Sequence, residues 1–319
     1  MRPPRFWRKG GWPVALLAPL EPVTAWLTAR RLARGGWRPP VPVICCGNAT
    51  VGGAGKTTLA LDLGARLLAR GPRVGFVTRG YRGSLPGVVR VDVARHTAAE
   101  VGDEPLLLAA VAPTWRGADR EAAMRAAVAA GVQVIVADDG LQNPAFAHAA
   151  RLLVVDGESG FGNGHLLPAG PLRERVANAA SRCVAAVLIG EDRTGAASAL
   201  PSALQVLRAR LVPDMAARAL AGRRVVAFAG LARPDKFFGM LRHLGADLVA
   251  TKDFADHHDF TTVELDTLVS MAGDAVLVTT PKDAARLAPA WRARVHVAGV
   301  DLAWEDEAAL AALLDRVLA

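Results

Sequence analysis

The segment that most constrains this chain is Val43-Ile44-Cys45-Cys46-Gly47-Asn48-Ala49-Thr50-Val51-Gly52-Gly53-Ala54-Gly55-Lys56-Thr57. An apolar stretch, Val41–Cys46, reads as a strand, runs into a Gly-rich loop and opens a helix over Lys56–Arg70. Gly52, Gly53 and Gly55 let backbone N–H groups turn inward around phosphate oxygens without a clashing Cβ. The helix N-terminus adds partial positive charge. In such a loop Lys56 reaches the β- and γ-phosphates, and the Thr57 hydroxyl is placed for Mg²⁺. Thr50 stands where the first Gly of G-x-x-x-x-G-K-[ST] is expected, and the strand–loop–helix setting outweighs that gap. We read Thr50, Val51, Gly52, Gly53, Ala54, Gly55, Lys56 and Thr57 as the phosphate-binding segment; the bland alternative is a Gly-rich turn before a helix cap.

From Val41 onward short apolar runs alternate with helical patterns. Arg73–Thr78, Val132–Ala137 and Arg151–Asp156 read as further strands, with a helix over Ala118–Ala130. That alternation predicts an α/β fold: a P-loop NTPase-type, mostly parallel sheet with helices on both faces. After a variable stretch around Glu191–Leu204 a second series begins, with strands at Arg224–Gly230, Leu248–Lys252, Ala275–Thr279 and Val295–Gly299. Helices at Pro234–Leu244, Thr261–Met271 and Glu305–Leu318 accompany it. The expected organisation is a segment over 1–40, a P-loop kinase-type domain over 41–220, and a smaller α/β domain over 221–319.

The first forty residues stand apart. Trp7, Trp12, Trp26 and Trp37 fall there, and the apolar run Trp12–Leu20 is broken by Pro13 and Pro19. It is shorter than the roughly 20 apolar residues of a spanning helix. Arg2, Arg5, Arg8 and Lys9 flank one end; Arg30, Arg31 and Arg34 flank the other. Basic clusters with Trp beside a short apolar helix predict an amphipathic segment lying on an anionic membrane surface. An ordinary packing helix is the competing reading. The net charge of +8 comes chiefly from Arg in an Ala-rich chain, so it is not taken as evidence for nucleic acid. Three Cys, two of them adjacent, cannot form a disulfide framework and predict a reducing, cytoplasmic setting.

Four further constellations carry chemistry. Val132–Ala137 ends in Asp138-Asp139-Gly140, the arrangement in which a strand-end Asp holds Mg²⁺. Asp103-Glu104-Pro105 opens a helix, either as a cap and first turn or as a base with a carboxylate near the metal. Asp256-His257-His258-Asp259 lies between a strand and a helix, either as a solvated loop or as part of the site. Arg79-Gly80-Tyr81-Arg82 follows the second strand and holds the only Tyr of the chain; it suits an anionic substrate group or a plain connection.

Taken in order, these segments resemble the tetraacyldisaccharide 4′-kinase family of Gram-negative bacteria. The resemblance extends through Gln142, Leu167-Pro168-Ala169-Gly170-Pro171-Leu172-Arg173-Glu174, Phe228 to Phe238 and Thr279-Thr280-Pro281-Lys282-Asp283. It covers almost the whole chain and implies transfer of the ATP γ-phosphate to the 4′-hydroxyl of a tetraacylated disaccharide 1-phosphate, giving lipid IVA. Asp103 is then the base, His257 its partner from the second domain, and Lys56 the catalytic cation. Thr57, Glu104, Asp138 and Asp139 surround Mg²⁺, with Arg79 and Tyr81 toward the lipid. The resemblance further implies a peripheral or monotopic enzyme on the cytoplasmic face of the bacterial inner membrane, with no nucleic acid and no obligate protein partner. The sequence departs from the family pattern at Ala54 and Thr58, where a hydroxyl and often Pro are expected. The other classes weighed are a membrane-associated P-loop NTPase switch or metallochaperone and a soluble small-molecule kinase. The switch usually carries an early Lys in its loop, and that position here is Val51.

Overall fold

The computed structural model describes residues 4–319; residues 1–3, with Arg2 of the basic flank, lie outside the described residues. Eight strands form first: β1 (Val43–Gly47), β2 (Val74–Thr78), β3 (Val89–Arg90), β4 (Thr114–Arg116), β5 (Val134–Asp138), β6 (Ala150–Asp156), β7 (Ala185–Ile189) and β8 (Gln205–Pro213). A smaller group follows: β9 (Arg224–Ala229), β10 (Asp247–Asp253), β11 (Val276–Thr279) and β12 (His296–Val297). The last strand is β13 (Val300–Trp304).

The large sheet has the order β13-β8-β7-β6-β1-β5-β2-β4-β3, and the small one β10-β9-β11-β12. The small sheet is parallel throughout, and the large one is parallel except for its two edges, β3 and β13. Central strands β1, β2 and β5 are buried along their whole length, as a sheet covered on both faces requires. On one face the helix Lys56–Leu68 inserts Leu59, Leu63 and Leu67 at helical spacing. Gly64 lets this helix lie directly on Phe76, whose ring a Cβ would strike.

The stretch expected to form the smaller unit divides between the two sheets. Residues 224–297 carry the small sheet, while β13 turns back to pair antiparallel with β8. The following helix, Glu307–Leu318, buries Leu310, Leu313 and Leu314 in the core of the large sheet. Strands β7 and β8, which flank the variable stretch Glu191–Leu204, extend the large sheet with two strands not assigned from the sequence.

At the N-terminus short helices span Phe6–Lys9 and Trp12–Leu17, with a longer one over Glu21–Leu32. One side is fixed to the body: Trp7 Nε1 donates to the Pro168 carbonyl (3.1 Å), Thr24 to that of Leu167 (2.6 Å) and Thr28 to that of Arg173 (3.2 Å). The other side is apolar and open, with Trp12 77% and Leu16 68% exposed, beside Val23, Trp26 and Leu27. Among the described residues no helix is long and apolar enough to cross a membrane.

Candidate active site

Parallel pairing assembles the site before any side chain is considered. Cys46 at the end of β1 is in register with Asp138 at the end of β5, so the Gly-rich loop and the paired carboxylates leave the sheet side by side. Gly55, in a left-handed conformation (φ 87°), opens the helix that begins at Lys56. Thr57 Oγ1 donates to Asp138 Oδ2 at 2.9 Å. Lys56 Nζ lies across the loop, 3.1 Å from Asn48 Oδ1, 3.4 Å from the Gly52 carbonyl and 4.0 Å from Asp139. Thr50 bridges to Leu172, and Val51 gives its N–H to the Pro171 carbonyl (2.8 Å), so the first part of the loop is an anchor. Ala54 is buried among apolar side chains, where the hydroxyl expected at that position would sit without water.

Asp138 is almost completely buried, and its Oδ1 has no hydrogen-bond partner. Burial pushes its pKa up to about 7, with the Glu104 charge adding to the rise and Lys56 opposing it. Glu104 is raised too, by burial first. Asp139 holds a left-handed backbone (φ 57°) and pairs with Arg173 at 3.2 Å. Burial would raise its pKa, but Lys56, Arg173 and Arg120 bring it below the ordinary carboxylate value. Buried Arg120 donates to the carbonyls of Asp138 (3.3 Å) and Asp139 (3.2 Å), fixing the turn. Among the described residues no group of three or more His, Cys, Asp or Glu forms a closed metal cage. An unpartnered carboxylate oxygen beside a threonine hydroxyl instead fits a magnesium ion whose other ligands are phosphates and water.

One prediction follows from Asp138 alone. Its folded pKa lies above the ordinary value of about 4, so between about pH 4 and 7 the folded protein holds a proton that the unfolded chain lacks. Stability therefore falls as pH rises through that window. In metal-free buffer Asp138→Asn should raise stability near pH 8 by roughly 2–4 kcal/mol, with the gain closing toward pH 4. Thermal melts across pH check this; parallel pH profiles for the two proteins would contradict it.

The second half of the site comes from the small sheet. The carboxyl ends of β10 and β11 carry His257 and Lys282, and both face Asp103 of the large unit. Asp103 is the first residue of the helix Asp103–Ala109; its cap is Gly102, so the carboxylate is not occupied as the helix cap. Its Oδ1 accepts from the Glu104 N–H (3.1 Å). Its Oδ2 meets Arg286 at 2.7 Å, His257 Nδ1 at 3.1 Å and Lys282 at 3.8 Å. Burial alone would raise Asp103, but these three groups hold its carboxyl well below the usual carboxylate range. His257 has a left-handed backbone (φ 60°), held by its N–H to the Gly230 carbonyl (3.1 Å). The adjacent His258 points elsewhere: it stacks on Phe254 and bonds Glu264 at 3.0 Å. Of the two histidines, His257 is the one at the cleft.

Arg79 and Tyr81 line an open pocket of about 360 Å³, with Arg82 and Arg116. Tyr81 is exposed, and its ring centroid is 6.4 Å from that of His257. Arg120, Lys282 and Arg286 are functional residues without a role assigned from the sequence alone. Lys282 sits in the segment Thr279-Thr280-Pro281-Lys282-Asp283. Arg120 opens the helix Arg120–Ala129 and Arg286 follows the end of the helix Pro281–Ala284, and neither carries a further local signal.

Comparison with known proteins finds likenesses over nearly the full chain. The family model for tetraacyldisaccharide-1-P 4′-kinase matches residues 13–319. A tetraacyldisaccharide 4′-kinase of Gluconacetobacter diazotrophicus is 58% identical, covering 100% of this chain and 98% of that protein. One from Rhodospirillum centenum is 52% identical, covering 100% and 96%. The crystal structure of LpxK from Aquifex aeolicus in complex with ATP superposes with a TM-score of 0.77 at 25% identity, covering 96% of this chain and 99% of that one. Fold, full-length similarity and family match agree, and this chain belongs to the tetraacyldisaccharide-1-P 4′-kinase family.

Proposed function

We propose that this protein transfers the γ-phosphoryl group of ATP to the 4′-hydroxyl of a tetraacylated disaccharide 1-phosphate, giving lipid IVA. The observation that carries the reading is the meeting of Asp103 and His257 at 3.1 Å across a cleft beside the phosphate loop. Residues from Gly52 to Thr57 and the Lys56 ammonium cradle the phosphates, while Thr50 and Val51 fix the loop to the body. Phosphoryl transfer is largely positioning and charge stabilisation, so Lys56 and the loop amides contribute most. Thr57, Asp138 and Glu104 would hold Mg²⁺, directly or through water; Asp139 acts through Lys56 and Arg173. When bound, the ion neutralises charge on the phosphates. Asp103 orients the sugar hydroxyl and takes its proton late in the transfer. The slow NTPase switch has no support in the likenesses described above. With ATP and the lipid in mixed micelles, ADP should appear one for one with phosphorylated lipid; hydrolysis indifferent to lipid would defeat the proposal.

Arg79 and Tyr81 face the lipid headgroup, and the open side of the N-terminal helices rests on the cytoplasmic face of the inner membrane. Those helices bond to residues 163–173, so point variants test this better than truncation. Each buried apolar side chain contributes roughly 1.5–3 kcal/mol, so Trp12→Glu with Leu16→Glu should weaken binding to anionic liposomes at least tenfold. Salt should weaken the wild type only partly, because the apolar contribution is not screened. Liposome sedimentation measures both. An unchanged double variant would show that this face does not touch lipid.

A further inference from the structure

Three residues of the small sheet's half converge on Asp103, and they are not equivalent. Arg286 is closed in: its side chain is 4% exposed and divides between Asp103 and Asp283 (3.0 Å). Asp283 is itself fully buried, accepting from Thr280 Oγ1 (2.7 Å) and the Gly230 N–H (3.1 Å). Arg286 is thus a strut that runs from the small sheet to the carboxylate. Lys282 is open to the cleft, with 26% of its side chain exposed. Its ammonium lies 3.3 Å from His257 Nε2 and 3.8 Å from Asp103 Oδ2, the second too long for a hydrogen bond. An ammonium has three donors and no acceptor, so His257 Nε2 can only accept from Lys282, while Nδ1 faces Asp103 Oδ2 at 3.1 Å and the Arg286 guanidinium at 3.4 Å. Glu104, beside Asp103, is acted on by Lys282 from the small sheet and by Lys56 from the phosphate loop.

We propose that Lys282 is a catalytic residue: a cation carried by the small sheet that touches the γ-phosphoryl group during transfer, on the side away from Lys56. The proposal rests on the kinase reading above. In that transfer the sugar oxygen bonds to phosphorus as the bond to the ADP oxygen breaks, and the hydroxyl proton passes to Asp103. The negative charge of the moving group then lies between two lysines. His257 acquires a second task, since one ring orients both the base and the cation. Arg286 is a positioning residue that acts through Asp103.

The test uses full-length enzyme with ATP, Mg²⁺ and the tetraacyldisaccharide 1-phosphate in mixed micelles. For Lys282→Met, kcat should fall at least about a hundredfold, with ATP affinity changed by less than about threefold. Affinity for ADP with aluminium fluoride, which mimics the transferring phosphoryl group, should fall in proportion to kcat. Lys282→Arg keeps the charge and should retain at least about a tenth of wild-type kcat. If Lys282 only tuned Asp103, the methionine variant would shift the acid limb of the pH–rate profile and leave the plateau and fluoride-complex affinity intact; that result overturns the proposal. So does a kcat within about threefold of wild type. If the methionine variant melts early, Lys282→Gln carries the same comparison. A wild-type protein that makes no phosphorylated lipid defeats the kinase reading, whereas an active wild type with an active Lys282→Met defeats this inference alone.

Discussion

Lys56→Ala is expected to abolish phosphoryl transfer, with kcat lower by at least about a hundredfold. Lys56 is the cation of the phosphate loop, within 3.1–4.0 Å of Asn48 and Asp139 at the loop mouth. Its removal withdraws positive charge from the point where the γ-phosphoryl group develops charge. It also leaves Asp138 with less opposition to protonation, because Lys56 is the main group lowering that carboxylate. The loop itself is anchored independently, through Val51 to Pro171 and Arg173 to the Ala49 carbonyl. The fold should therefore survive, and circular dichroism with steady-state kinetics separates the effects. Near-normal turnover would mean that this loop is not the catalytic phosphate site.

The second large effect is expected at Asp103. Asp103→Asn keeps the shape and the acceptor for Arg286 but removes the base, so kcat should fall by about 10²–10⁴ while ATP binding is retained. His257→Ala should lower the rate less, and the double variant should fall short of the summed effects because the two residues are in contact. The pH dependence has a definite sign. A carboxyl held below the usual range stabilises the folded state above its unfolded pKa of about 4, and that contribution is lost as pH falls below it. Between about pH 5 and 8 Asp103 stays ionised, so an acid limb there belongs to another group. Asp103→Asn should lose stability relative to wild type near pH 7, and the difference should shrink in acid. An Asp103→Asn enzyme with unaltered kcat would return this residue to a purely structural role.

Much of this site is legible in the chain because its parts are local. A strand, three glycines and Lys-Thr at a helix start suffice to place the phosphate loop, and parallel pairing of two apolar runs brings Asp138 beside it. The Asp103 cluster is of another kind. Asp103 and Arg286 are 183 residues apart, and their ion pair exists only because two sheets present their carboxyl ends to one cleft. Ion pairs across such a separation leave no periodicity to read. The choice between His257 and His258 was likewise invisible, since it depends on a left-handed backbone at one residue and an aromatic stack at the next.

The fold shows the same division. Strands β1, β2, β5, β9 and β11 are continuous apolar runs and stand out against their surroundings. Strand β8 alternates buried Leu207 and Ala209 with exposed Arg208 and Arg210, because the core that includes the helix Glu307–Leu318 covers one face and the other is open, while β13 is its antiparallel partner in the sheet plane. That partner, β13, is brought back from the far end of the chain past the small sheet. Nothing local in Val300–Trp304 distinguishes a return to the large sheet from an addition to the small one.

Position-resolved phosphate transfer tests the central claim most directly. Wild-type protein is mixed with γ-labelled ATP and the tetraacyldisaccharide 1-phosphate in a single turnover, and the lipid is analysed by mass spectrometry and phosphorus NMR. The account predicts one labelled phosphate per lipid, on the 4′-oxygen, absent with Lys56→Ala and strongly slowed with Asp103→Asn. Label released only as inorganic phosphate, or carried on any other position of the disaccharide, would contradict it.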